Sequence, residues 1–182
     1  METWKEFEQN VITHSAAHHL MAIDELIQKS GYARVSDVAR LLQITRGSVS
    51  ISLKPMKEAG LVEQDDNKHL RLSERGQILV DAIKTKRRVM QRFFEEILGG
   101  DAQQAEIDAC KLEHLLSDAT ARRMIALMRF LDADTARSRE FLQAWRQYES
   151  SCDHHPENCP SCEASCMVEN VSRTGQVGAH RE

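Results

Sequence analysis

A chain of 182 residues with a formal net charge of −4 is long enough for one large domain or two small ones. Hydrophobic residues make up 41% and charged residues 29%, which is typical of a globular protein and excludes a wholly disordered chain. No apolar run approaches the roughly 18 residues that a membrane-spanning helix needs, and the polar start METWKEFEQN is not a signal peptide, so we expect a cytoplasmic protein without membrane contact.

The first half of the chain predicts three helices followed by a hairpin. Apolar residues recur every three or four positions over residues 4–29 and predict the first helix. Ser36 is the expected cap of a short second helix, and Thr45 is the expected cap of a third. Because proline removes a backbone hydrogen bond, we expect the third helix to bend or end early at Pro55.

Two short alternating runs at 61–63 and 69–72 flank the turn formers Asp65, Asp66 and Asn67, and this pattern predicts a β-hairpin. Ser73 is the expected cap of a long helix that reaches about residue 98. Three further helices are predicted near 102–116, 118–131 and 132–150. The fold class is therefore mainly α, with one small hairpin.

A helix, a tight turn, a second helix and a hairpin, in this order, are typical of a winged helix-turn-helix that binds double-stranded DNA. Residues 34–92 carry 13 Lys and Arg against 7 Asp and Glu, and a basic block of this size can bind phosphate. A winged helix that only binds protein is the alternative. The candidate DNA-contacting residues are Arg34, Thr45, Arg46, Ser48, Ser50, Ser52, Lys54, Lys68 and Arg71.

The stretch Cys110-Lys111-Leu112-Glu113-His114 is the strongest metal-binding pattern in the folded part. On a helix, positions 110, 113 and 114 share one face, because residues three and four apart are neighbours. A thiolate, a carboxylate and an imidazole together suit Fe²⁺, Mn²⁺, Co²⁺ or Zn²⁺ better than Ca²⁺ or Mg²⁺. The alternative is a buried cysteine beside a surface Glu-His pair.

These motifs, in this order, resemble the DtxR/MntR family of metal-dependent repressors. The resemblance rests on GYARVSDVARLL, the run from Val49 to Val62, LRLSERG and ACKLEHLLSD, and it covers roughly residues 12–150. It implies a winged helix-turn-helix domain over 1–74 and a helical metal-binding and dimerisation domain over 75–150, without an SH3-like domain. It further implies a homodimeric repressor that binds a palindromic operator when Fe²⁺ or Mn²⁺ is bound.

The resemblance also implies a ligand set. The family's cluster falls on Cys110, Glu113 and His114, and its ligand from the first helix falls on His18, with His14 and Glu106 as further candidates. The chain departs from the family at three ligand positions, which fall on Arg87, Met21 and Glu106, and of these only Glu106 could still ligate, so we expect one main metal site. Bound metal would fix the first helix against the fifth and set the spacing of two recognition helices.

Residues 151–182 predict a flexible tail that contains a second candidate site. Cys152, Cys159, Cys162 and Cys166 lie close together, with two histidines among them, and such a cluster in a cytosolic chain indicates Zn²⁺, an Fe–S cluster or redox-active thiols. The alternative function is therefore a redox- or Fe–S-responsive winged-helix regulator with a degenerate family metal site. No nucleophile–base pair, phosphate loop or cofactor motif indicates an enzyme.

Overall fold

The computed structural model describes residues 13–148. These residues are mainly helical, with one two-stranded antiparallel sheet, which confirms the predicted fold class. None of the described helices is long and apolar enough to cross a membrane. The elements are α1 (His14–Ser30), α2 (Val35–Leu41), α3 (Arg46–Glu58), β1 (Val62–Gln64), β2 (Leu70–Leu72), α4 (Glu74–Arg92), a π-helical turn (Phe93–Ile97), α5 (Ala102–Leu112), α6 (Asp118–Asp132) and α7 (Ala136–Gln147).

Local capping determines where most of the helices begin. The side chains of Thr45 and Ser73 accept hydrogen bonds from the backbone three residues on, which confirms both predicted caps. The predicted cap at Ser36 is wrong, because Arg34 is the cap and α2 begins at Val35, two residues earlier than a cap at Ser36 would place it. The reason is tertiary: the Ala33 carbonyl accepts a hydrogen bond of 2.7 Å from the Leu70 amide, and this bridge fixes the chain just before the helix. For α1, which begins at His14, the predicted start at residue 4 lies outside the described residues.

Helix α3, the predicted recognition helix, contains a proline and continues beyond it. It continues to Glu58 with Pro55 inside it, so of the two expected outcomes the early end is wrong, while the bend stays a prediction. Proline deprives the carbonyl four residues earlier, that of Ile51, of its helical partner. Ile51 is 77% exposed, so water can hydrate that carbonyl and the cost of the missing bond is small.

The hairpin of β1 and β2, which we call the wing, is held to the start of α4 by hydrogen bonds. In the hairpin, Val62 pairs with Leu72 and Gln64 pairs with Leu70, as the alternating pattern predicts. The Ser73 hydroxyl donates to the carbonyl of Gly60 over 2.7 Å, while its backbone amide donates to that of Leu61. The hairpin therefore has a defined position against the helix that follows it.

Helix α1 lies at the centre of the first half of the molecule. Its fully buried residues Ala17, Leu20 and Ile23 belong to one apolar core with Val49 and Leu53 of the recognition helix. Burial of apolar surface of this kind is the main force that holds such helices together. Because α1 and α3 share this core, an interaction that holds α1 in place also holds α3.

Two helix ends differ from the prediction and shape the site. Helix α4 ends at Arg92 and continues as the π-helical turn to Ile97, rather than as one regular helix to residue 98. Helix α5 ends at Leu112 instead of near 116, so Glu113 is its C-cap and His114 lies in the turn that follows.

The described chain separates into two compact units, one ending at Ala133 and one beginning at Asp134, and α7 belongs to the second. The predicted domain boundaries after residues 74 and 150 stay predictions.

Candidate metal centre

Helices α1 and α5 bring three metal-ligating side chains together. His14 and His18 lie one turn apart at the start of α1, and Cys110 lies near the end of α5. The Nε2 atom of His18 is 3.3 Å from the Sγ atom of Cys110, although 92 positions separate the two residues in the chain. The candidate ligand atoms of all three residues lie within 4.8 Å of one another. We call these three residues the donor group.

His114 adjoins the donor group. Its ring centroid is 4.8 Å from that of His14, and the rings of His14 and His18 are 4.4 Å apart. The Nδ1 atom of His114 is buried and has no hydrogen-bond partner among the described residues. A buried, unpartnered nitrogen is costly, so its position beside three other donors indicates that a ligand completes the site.

The surroundings of His18 and His114 favour the neutral forms of these two imidazoles. Burial lowers the pKa of His18, and electrostatic interactions with His14 and then with Arg87 lower it further. Burial also lowers the pKa of His114, with His14 contributing in the same direction. A neutral imidazole offers a nitrogen lone pair to a cation, so both shifts favour metal binding.

Glu113 points at Arg87 and is not in the donor group. Its side chain is fully buried, and its Oε2 atom is 2.7 Å from the Nε atom of Arg87 on α4. Neither carboxylate oxygen has a partner with hydrogen-bond geometry among the described residues, so this contact is an ion pair only. Burial raises the pKa of Glu113, while the guanidinium opposes that effect.

The structure thus brings together His14, His18 and Cys110 from the predicted ligand set, with His114 beside them. Glu106 is exposed on α5, and Met21 is part of the apolar core. The pairing of Glu113 with Arg87 was not anticipated from the sequence. The sequence contained one indication of this pairing, namely that an arginine, Arg87, stands at a position where the resemblance implies a metal ligand.

The donor group fits a divalent transition metal. Imidazole nitrogens and a cysteine sulfur are ligands for Zn²⁺, Co²⁺ and Fe²⁺, and the unpartnered Nδ1 atom of His114 is the kind of buried atom that such an ion satisfies. The four-cysteine site predicted at Cys152, Cys159, Cys162 and Cys166 lies outside the described residues.

The recognition helix presents a polar face opposite its buried one. Val49, Leu53 and Met56 are buried, as expected for the side that packs on the core. The hydroxyls of Thr45 and Ser48 lie 2.9 Å apart at the start of α3. The candidate DNA-contacting residues are all exposed except Ser52, which is half-buried: Arg34, Thr45, Arg46, Ser48, Ser50, Ser52, Lys54, Lys68 and Arg71.

Arg34 links the base of α2 to the wing. Its guanidinium is 3.0 Å from the Nε2 atom of His69 and lies over the ring of Tyr32 at 5.6 Å from the centroid. The Nδ1 atom of His69 faces Asp65 at 3.3 Å. The wing and the helix-turn-helix therefore form one continuous surface.

Comparison with known proteins agrees with this arrangement. Residues 73–141 match the family model described as the iron dependent repressor, metal binding and dimerisation domain. The chain is 28% identical over 111 residues to the diphtheria toxin repressor of Corynebacterium diphtheriae, covering 61% of this chain and 49% of that protein. It is 24% identical over 143 residues to the HTH-type transcriptional regulator MntR of Bacillus subtilis, covering 79% of this chain and 97% of that protein.

Among solved structures, the metal-dependent transcriptional regulator MtsR superposes with a TM-score of 0.59 at 26% identity. That match covers 65% of this chain and 55% of the other. The chain spans about half the length of the iron-dependent and diphtheria toxin repressors that it matches.

Proposed function

We propose that this chain is a member of the DtxR/MntR family of metal-dependent repressors, and that it is a cytoplasmic transcriptional repressor whose affinity for operator DNA depends on a divalent transition metal, with Fe²⁺ as the first ion to test. It is not an enzyme. The observation that carries the proposal is the contact of 3.3 Å between His18 on α1 and Cys110 on α5. It joins the helix at the centre of the winged half to a helix of the segment that matches the metal-binding domain.

The residues that would hold the metal are His14, His18 and Cys110, with His114 beside them. A bound ion would supply a crosslink between α1 and α5. Because α1 shares its buried core with α3, the position of α1 determines the position of the recognition helix. His14 and His18 lie on α1 itself, so they couple the metal site to the DNA-reading surface without an intermediate element.

The DNA-contacting surface in this proposal is the polar face of α3 together with the wing. Arg46 and Lys54 would contact phosphates, while the small polar Ser48 and Ser50 can lie close to base edges in the major groove. Replacing one phosphate-contacting side chain, as in Arg46→Ala, should weaken binding to all sequences alike. It should reduce the slope of log K against log salt by about 1. Arg88→Ala, an exposed position on α4 outside the candidate DNA-contacting set, is the control that should leave the slope unchanged.

A homodimer on a palindromic operator is also part of the proposal. Helix α6 exposes Leu127 and Phe130, and α5 exposes Ile107 and Leu112, which are apolar side chains that a second copy would cover. A twofold dimer places two recognition helices about 34 Å apart, one turn of DNA, and metal would favour the arrangement with this spacing.

The experiment measures DNA affinity of the full chain by fluorescence anisotropy, on DNA selected in vitro with metal-loaded protein. Adding Fe²⁺ or Co²⁺ after chelation should raise the affinity at least about tenfold, which is within the usual range of coupling between two sites. His18→Ala and Cys110→Ser should lose this response. Glu25→Gln, an exposed change on α1 two turns after His18, is the matched control and should keep it.

Equal DNA affinity with chelator and with metal would contradict the proposal. If His18→Ala and Cys110→Ser respond as the wild type does, the sensor lies outside the donor group. The four-cysteine segment would then be the next region to mutate.

A further inference from the structure

The ion pair between Arg87 and Glu113 lies next to the donor group and has no role in the function proposed above. We propose that Arg87 is a built-in cation that keeps Glu113 out of the metal's ligand set, so that the site binds one ion through nitrogen and sulfur and discriminates against Mn²⁺. This inference rests on the proposed metal site and specifies which ions it selects.

The burial of Glu113 shows why a cation is needed there. The side chain is fully buried, and an ionised carboxylate without a countercharge is very unfavourable in such a place. Neither oxygen has hydrogen-bond geometry with any described residue. The guanidinium of Arg87, 2.7 Å away, is therefore the charge that compensates Glu113.

Arg87 also makes a second metal ion unfavourable. Arginine remains protonated at all physiological pH values, so its positive charge is permanent. The same charge is close enough to His18 to be one of the causes that lower its pKa. A second divalent ion at Glu113 would have to displace Arg87 or lie against it, and like charges at such distances repel strongly.

The donors that remain are those of a borderline-soft site. They are the imidazoles of His14, His18 and His114 and the sulfur of Cys110, and no carboxylate belongs to the donor group in the described residues. Imidazole and thiolate ligands suit Zn²⁺, Co²⁺ and Fe²⁺, whereas Mn²⁺ is better served by carboxylate, carbonyl and water oxygens. With Glu113 paired to Arg87, the site lacks the oxygen donor that Mn²⁺ needs.

The test titrates the full-length chain, without DNA, with Co²⁺ and with Mn²⁺. Cobalt bound by a thiolate gives a charge-transfer absorption band, and Cys110→Ser provides the blank. The tail cysteines are present in both proteins and cancel in the difference. The wild type should show one Co²⁺ per protomer in this difference, and Mn²⁺ in large excess should fail to displace it.

Changes at Arg87 then test its role directly. Arg87→Met removes the permanent charge and frees Glu113 without adding a nitrogen or oxygen ligand, so it should raise Mn²⁺ affinity at least about tenfold, the scale of effects from residues that surround a metal's ligands. Arg87→Lys keeps the charge and should keep the discrimination. Unchanged Mn²⁺ affinity in a folded Arg87→Met protein would overturn the inference.

Glu113→Gln tests the same claim from the other side. If Glu113 is not a ligand, Co²⁺ affinity should stay within about threefold of the wild type. Replacing a residue that only contacts a ligand typically lowers metal affinity about 10- to 100-fold, and replacing a true ligand should lower it far more. The double variant Arg87→Met, Glu113→Gln removes both charges together and gives the same answer if either single variant fails to fold. Loss of the cobalt band in the double variant would overturn the inference.

These outcomes are separable from those of the proposed function. If Mn²⁺ affinity does not respond to Arg87 while the wild type still needs metal for DNA binding, this inference fails and the function stands. If DNA binding is independent of metal, the function fails, whatever ion the site prefers.

Discussion

Two buried carboxylates, those of Asp24 and Glu113, each pair with a basic side chain of α4, but only the first also accepts a hydrogen bond. Asp24 on α1 pairs with Lys84 of α4, and its Oδ2 atom also accepts a hydrogen bond of 2.8 Å from Gln28. Glu113 pairs with Arg87, one turn further along α4, but forms no hydrogen bond with any described residue. The first pair is complete without a ligand, whereas the second leaves polar atoms unsatisfied beside a group of metal donors.

The difference separates a structural contact from a functional one. A satisfied buried pair fixes the packing of two helices and needs nothing further. Beside the second pair, the buried Nδ1 atom of His114 has no hydrogen-bond partner among the described residues, and such a cost is retained where binding of a ligand compensates for it. The region around Asp24 should therefore respond to mutation through stability, and the region around Glu113 mainly through metal.

The largest expected effect on stability is at Lys84. Lys84→Met leaves Asp24 buried with only Gln28 as a partner, and removing one member of a buried pair costs about 3 kcal/mol. Urea denaturation of the metal-free chain would measure it. The double variant Asp24→Asn, Lys84→Met removes both charges and should recover most of the loss. A Lys84→Met protein as stable as the wild type would end the distinction between the two pairs.

Bound metal should stabilise the region around Glu113, and the gain in free energy of unfolding should be similar in size to the loss in Lys84→Met. At a free Co²⁺ concentration 100 times the dissociation constant, binding to the folded state alone adds about 2.7 kcal/mol to the free energy of unfolding. His18→Ala should lose this increment, because it removes a member of the donor group. Lys84→Met should keep it on its lower baseline. An increment that survives in His18→Ala would place the stabilising ion elsewhere.

The hydrogen bond from Gln28 tests how complete the first region is. Gln28→Ala removes one of two partners of the Asp24 carboxylate, and the loss should be about 1 kcal/mol because Lys84 remains. Gln77→Ala provides a control, since its bond of 3.0 Å to Asp81 has the same i to i+4 spacing on an exposed surface. The control should change the urea midpoint less than Gln28→Ala does.

What the sequence predicted well was local. Thr45 and Ser73 act on backbone amides three residues away, and the hairpin follows from alternation over a few positions, so short patterns were sufficient. The start of α2 was mispredicted because it depends on the bridge between Ala33 and Leu70. These two residues lie far apart in the sequence, so a short local pattern does not contain this contact.

The site shows the same division. The histidines of α1 and the motif at Cys110 were visible as candidate ligands, and the resemblance indicated that they meet. The direction of the Glu113 side chain could not be predicted, because it depends on where α5 ends and on Arg87, 26 positions earlier. Helical periodicity placed Glu113 on the face of Cys110, but α5 ends at Leu112 and the carboxylate points to α4 instead.

The smallest expected effect is at Glu113 in the absence of metal. Glu113→Gln removes a buried charge that has no hydrogen bond to lose, while Arg87, whose side chain is 30% exposed, can turn to water. The two consequences oppose each other, so the free energy of unfolding should change by less than about 1 kcal/mol. Asp24→Asn is the matched change in the first region, and it should cost more because it weakens two existing bonds. If Glu113→Gln destabilises the metal-free chain as much as Lys84→Met does, the Arg87 pair is a structural contact like the first one, and the contrast between the two carboxylates does not hold.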